Sequence, residues 1–110
     1  MKPTKSVWIL LALFLCLTAG LAAGEKEKGK HHVGISKMKF SPSSLTIQSG
    51  DTVIWKNSDD HHHSVVAEDD SFKSENLANG DTFSHTFKKT GKYPYACSYH
   101  PRMKGEVIVK

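Results

Sequence analysis

One short stretch concentrates the chemistry available to this sequence: Cys97-Ser98-Tyr99-His100-Pro101-Arg102-Met103, a C-x2-H-x2-M spacing. A loop of that length can curl round a single ion and present a thiolate, an imidazole and a thioether to it. Thiolate and thioether are soft donors that suit Cu(I), and imidazole suits Cu(II) as well. A trigonal site of two His and one Cys with a weak axial Met is a copper arrangement. The second imidazole has to come from elsewhere in the chain. His61, His62 and His63 form a run upstream. His63 is the best placed of the three, 34 residues before Cys97 and at the start of an expected strand, Ser64-Val65-Val66.

Cysteine usage agrees with ligation. The chain has 110 residues and two cysteines, and one of these, Cys16, lies in a segment that reads as an address. Lys2 and Lys5 give a positive start, residues 7–18 are unbroken and apolar, and small residues follow at 19–24. That is the pattern of a secretory signal peptide over residues 1–24, with cleavage expected near Ala23 or Gly24. The apolar run to Ala23 is 17 residues long, at the bottom of the range that spans a bilayer, so no membrane span is expected in the mature protein. Export leaves Cys97 alone, with no partner for an internal disulfide. A free thiol in an oxidising compartment calls for a reason, and a metal supplies one.

The remaining 86 residues suffice for one modest domain. They carry 12 Lys and one Arg against 11 acids, a net charge of +2. No concentrated basic face of the kind that binds nucleic acid is evident, and a monomer is expected.

Residues 25–32 are charged and His-rich, and are expected to be a flexible lead-in to a domain over 33–110, with His31 and His32 as tail residues. From Val33 onward apolar residues recur with a period of two, as in strands half-buried against a core. Val33 and Ile35 share one parity and Met38 and Phe40 the other, which predicts a bend or bulge between them. Leu45 and Ile47, then Val53 and Trp55, alternate with polar residues around a turn at Ser49-Gly50-Asp51. Phe83, His85 and Phe87 form another inward set, followed by Tyr93 to Cys97 and by Val107 to Val109. Ser71 to Asn79 has room for a helical turn. His85 reads as a core or boundary histidine, and the run Glu68-Asp69-Asp70 as a solvated loop. Six to eight short strands separated by Gly, Pro, Asn and Asp turns predict an all-β sandwich.

The chain resembles the cupredoxins of the plastocyanin group, and within that group the amicyanins. The resemblance rests on Met38-Lys39-Phe40, Gly50 to Asn57, His63 to Val66, and Gly91-Lys92-Tyr93 through Gly105, in that order. It implies a Greek-key sandwich of about eight strands with one copper at one end, ligated by His63, Cys97, His100 and Met103. Counting from Asn57, the family spacing selects His63 over its neighbours. It also implies one-electron transfer between a redox donor and acceptor that dock transiently near His100, in the periplasm or another exported location, with no catalysis. Ser64 and Ser98 flank two ligands and are expected to supply hydrogen bonds that tune the site; the family more often has Asn at Ser64. Met38, His61, His62, Pro101 and Arg102 are expected to form the docking surface. The competing function is a copper carrier or scavenger using the same site plus the His clusters.

Overall fold

Strands with one apolar edge need a second layer to cover that edge, and this chain builds two sheets of four strands each. The computed structural model describes residues 29–110, so the expected signal segment at 1–24 and residues 25–28 lie outside the described residues. In order come β1 (Lys30–Ser36), β2 (Lys39–Ser41), β3 (Ser44–Ile47), β4 (Thr52–Asn57), β5 (Val66–Ala67), β6 (Thr82–Thr86), β7 (Gly91–Ala96) and β8 (Lys104–Val109). One sheet runs β2-β1-β4-β6 and the other β3-β8-β7-β5. The β1–β4 and β3–β8 pairs are parallel and the rest antiparallel. The chain changes sheet after β2, β3, β4, β5 and β6, and these crossings tie the two layers together.

The core follows the expected alternation. Val33, Ile35, Val53, Trp55, Phe87, Tyr95, Val107 and Val109 are buried between the layers. Trp55 sits at the centre, its ring 5.4 Å from that of Tyr95 in an edge contact and 5.6 Å from Phe83. Burial pushes the Tyr95 phenol up to about 12, so it stays neutral at any pH at which the fold works. His85 is partly buried among aromatic rings, 4.7 Å from Phe87 and 5.0 Å from Phe72.

Three expectations are corrected. The parity change before Met38 is a two-residue hairpin turn, not a bulge: Ser36 faces Lys39 across it, and Lys37 and Met38 have φ of 52° and 59°. Positive φ at both central residues is the turn whose twist matches paired strands. Lys30 to His32 are not a flexible lead-in but the first half of β1, paired with Thr52 to Ile54. There the His31 ring bonds Asp51 Oδ2 at 2.9 Å, and that bond with the Gln48 N–H holds the Asp51 carboxyl below its ordinary 3.8. Ser71 to Asn79 holds no helix; it is an irregular segment stitched on by single bridges, Val66 to Lys73 and His63 to Leu77.

Because Ile35 pairs with Asn57, the β1–β2 turn and the β4–β5 connection emerge at the same end of the sheet. The β7–β8 loop joins them, since Val66, just beyond the β4–β5 connection, pairs with Ala96. The donor residues of the site lie on these connections, and the β5–β6 connection braces them through Leu77.

Candidate metal centre

Asn57 closes β4 and shapes the loop that follows. Fully buried, it donates from Nδ2 to the carbonyls of His61 (2.9 Å) and Leu77 (2.8 Å), while its Oδ1 accepts from Asp59 N–H (2.8 Å). These bonds tie the geometry of the loop that carries His61 to His63 to Asn57. His63 is then fixed by backbone bonds in both directions with Leu77, at 3.1 and 2.8 Å. It lies outside β5, which begins only at Val66, so a single bridge rather than a strand holds it.

The loop from Cys97 to Met103 is closed at its base by Cys97 N–H donating to Met103 C=O (3.1 Å). A turn from His100 to Met103, with Met103 N–H donating to His100 C=O (2.9 Å), places Pro101 where its fixed φ is favoured. Cys97 and Met103 are consequently buried, whereas His100 is half-buried.

These two segments bring three donor atoms together. His63 Nδ1 and His100 Nδ1 each lie 3.7 Å from Cys97 Sγ, and all three donors fall within 4.8 Å of one another. Bonds of about 2.05 Å to nitrogen and 2.3 Å to sulfur, at trigonal angles, would separate nitrogen from sulfur by about 3.8 Å. The observed separation fits an ion sitting between the donors. The buried thioether of Met103 on the same loop makes the set soft, which favours copper over harder ions.

The tautomer of His63 is set from outside. Its Nε2–H donates to Asp59 Oδ2 at 2.9 Å, which leaves Nδ1 with a lone pair towards Cys97. Asp59 also accepts from the N–H groups of Lys37 (3.1 Å) and Met38 (3.0 Å). Those bonds, Met38 first and then His63, keep its carboxyl below the ordinary 3.8. Sequence reasoning missed Asp59. The available signal was an acid four residues before a ligating histidine, because such a histidine almost always donates its second N–H.

Ser64 and Ser98 bond to each other, Oγ to Oγ at 2.7 Å, and Ser98 N–H donates to Ser64 Oγ at 2.9 Å. Ser64 N–H donates to Cys97 Sγ at 3.4 Å. A hydroxyl pair thus links the two ligand loops where the family more often uses an amide side chain.

Of the expected surface residues, Met38, Pro101, Arg102, His61 and His62 are all exposed. Met38 and Arg102 line a cleft beside Met103, and Pro101 and Arg102 line a shallow recess with His100. The His61 ring stands 6.5 Å from that of His100, whereas His62 Nδ1 accepts from Asn76 Nδ2 at 3.1 Å. Tyr99, which the sequence reading did not single out, is 52% exposed and joins that recess.

Comparison with known proteins agrees with this geometry. Residues 6–109 match the family model of the cupredoxin-like domain. The chain is 37% identical to the amicyanin of Paracoccus versutus over 83 residues, covering 71% of this chain and 63% of that protein. It is 35% identical to amicyanin-alpha of Methylorubrum extorquens over 104 residues, covering 84% and 87% respectively. A purple cupredoxin from Nitrosopumilus maritimus superposes with a TM-score of 0.70 at 33% identity, over 73% of this chain and 99% of the other. The chain belongs to the cupredoxin-like family.

Proposed function

We propose that this protein carries single electrons, with one copper held by His63 Nδ1, Cys97 Sγ, His100 Nδ1 and the Met103 thioether. The carrying observation is a buried thiol with two imidazole nitrogens each 3.7 Å from its sulfur, in a frame of sheet and loop bonds. The bound metal supplies the Cu(I)/Cu(II) couple. What the chain supplies is rigidity: Asn57, Leu77 and Asp59 fix His63, the loop-closing bonds fix Cys97 and Met103, and the serine pair locks one loop to the other. Donors held in this way make little rearrangement necessary when an electron arrives or leaves.

His100 is the electron port in this reading, being half-buried with Tyr99, Pro101 and Arg102 around it. A donor and an acceptor dock there in turn, against a surface that includes Met38, His61 and His62. The protein works as an exported monomer, released by cleavage near Ala23 or Gly24, and turns over no substrate. Among the described residues no helix is long and apolar enough to cross a membrane.

The scavenger reading adds the His clusters to the same site as further copper-holding positions. His31 and His32 stand near the start of β1, paired with Val53 and Ile54, whereas His61 to His63 follow the far end of β4. The clusters are about 13–16 Å apart along the sheet at ~3.3 Å per residue, so they do not form one store. Voltammetry of the copper-loaded protein tests the proposal. A single reversible one-electron wave is expected, and a wave that decays with release of copper would count against it.

A further inference from the structure

Beside Met103 lies a cleft of about 210 Å³ between the β1–β2 hairpin and the start of β8. Its floor is apolar, formed by Phe40 and Met103, and its walls carry Lys39, Arg102 and Lys104. Among the described residues no carboxylate lies within 4.0 Å of any of these three cationic heads. The nearby acids are engaged elsewhere. Asp59 is taken up by the hairpin N–H groups and His63, and Glu106 accepts from Ser44 Oγ at 3.1 Å. Glu68 and Glu106 line the next groove along, which Lys104 also borders, so the basic field ends there.

We propose that this cleft is the seat of an acidic segment on the docking face of the redox partner, whose Asp or Glu side chains enter between Lys39, Arg102 and Lys104. The proposal deepens the electron-carrier reading and rests on it. Arg102 lines both this cleft and the recess formed with Tyr99, His100 and Pro101. A partner that covers the exposed edge of His100 therefore sets its surface against the basic cleft within one residue. The two parts divide the work. Tyr99, Pro101 and Met38 give apolar contact close to the electron exit, and three unpaired cations steer an oppositely charged surface onto it. Steering of this kind raises association rates by roughly 10–10³-fold and fades with salt. The cleft has room for about seven waters at ~30 Å³ each, which matches one or two carboxylate side chains. Three cations around one cleft make a footprint for a protein side-chain cluster, whereas nucleic acid calls for a stripe or a whole basic face.

The test uses copper-loaded protein and hexa-aspartate as the probe. Amide signals of the Cu(I) form are followed by NMR as the peptide is added. Stopped-flow oxidation by hexacyanoferrate(III) and by tris(phenanthroline)cobalt(III) is measured in parallel from about 10 to 200 mM ionic strength. Shifts are expected at Lys39 to Ser43 and at Arg102 to Lys104. Oxidation by the anionic complex should slow about tenfold with salt or with saturating peptide. In K39Q/K104Q the shifts and most of the salt dependence with the anionic complex should disappear, while the visible spectrum persists and the rate with the cationic complex at low salt rises. K88Q/K89Q/K92Q, altered before and within β7, should behave as wild type. Shifts centred on Lys88 to Lys92, or an unchanged salt dependence in K39Q/K104Q, would overturn the proposal. A failure of the electron-carrier reading would show differently, as loss of reversible oxidation with both complexes.

Discussion

Asp59 Oδ2 accepts the Nε2–H of His63 at 2.9 Å, and the same carboxylate accepts the backbone N–H groups of Lys37 and Met38. One exposed-looking acid thus holds His63 in the tautomer that the proposed copper site needs and holds the hairpin that carries Met38 against that site. The hairpin needs that help. Lys37 and Met38 both have positive φ, a conformation that costs roughly 1–2 kcal/mol per residue for side-chain-bearing residues.

Asp59→Ala should weaken copper binding about 10–100-fold, the usual effect of removing the group that orients a ligating histidine. Competition against a chelator of known affinity measures it. Asp59→Asn keeps the shape but loses the negative charge near the metal, so the reduction potential should rise relative to wild type.

The serine pair makes a separable contribution. Ser64→Ala and Ser98→Ala each break the 2.7 Å hydroxyl contact, but the Ser64 N–H bond to Cys97 Sγ comes from backbone and survives. Both variants should keep their colour. A double-mutant cycle of urea unfolding should return a coupling of about 1 kcal/mol, and strict additivity would show that the bond contributes nothing.

Gly105 is fixed by packing. It faces Tyr95 across β7 and β8, and a Cβ there would stand 2.5 Å from the ring of a side chain that is itself fully buried. Gly105→Ala should destabilise the fold by about 1–3 kcal/mol, read from the urea midpoint.

Acid sensitivity has two sources with one sign. Burial lowers His85 below its ordinary 6.5, so the unfolded chain binds its proton more readily than the folded one. Stability from this group is complete above pH 6.5 and falls as pH drops through the window below it. Asp51 and Asp59 are also lowered, by hydrogen bonds, so their contribution is present above the ordinary carboxylate range and is lost further into acid. His85→Phe should flatten the unfolding free energy between pH 6.5 and 5 while leaving the steeper loss below pH 4 in place.

The strands were legible where one face is buried and the other is not. Val53 and Trp55, or Phe83 and Phe87, announce a period of two that only a sandwich satisfies. The Lys37-Met38 turn was not legible, because neither residue favours the conformation and its support comes from Asp59, more than twenty positions on. His31 and His32 looked like tail because β1 begins with polar residues, and its first half is anchored by the sheet ladder and Asp51 rather than by apolar burial. At the site, Cys97, His100 and Met103 stand in one motif and could be read directly. His63 needed Asn57 as a marker. Asp59 hid in a polar loop beside Asp60, since a charge that bonds backbone looks no different in sequence from one that bonds water.

The most direct test of the whole account is titration of metal-free protein with Cu(II), followed by visible absorption. One equivalent per chain should give an intense blue colour that bleaches on reduction, returns on oxidation and is absent in Cys97→Ser. A pale or colourless complex at one equivalent would contradict it.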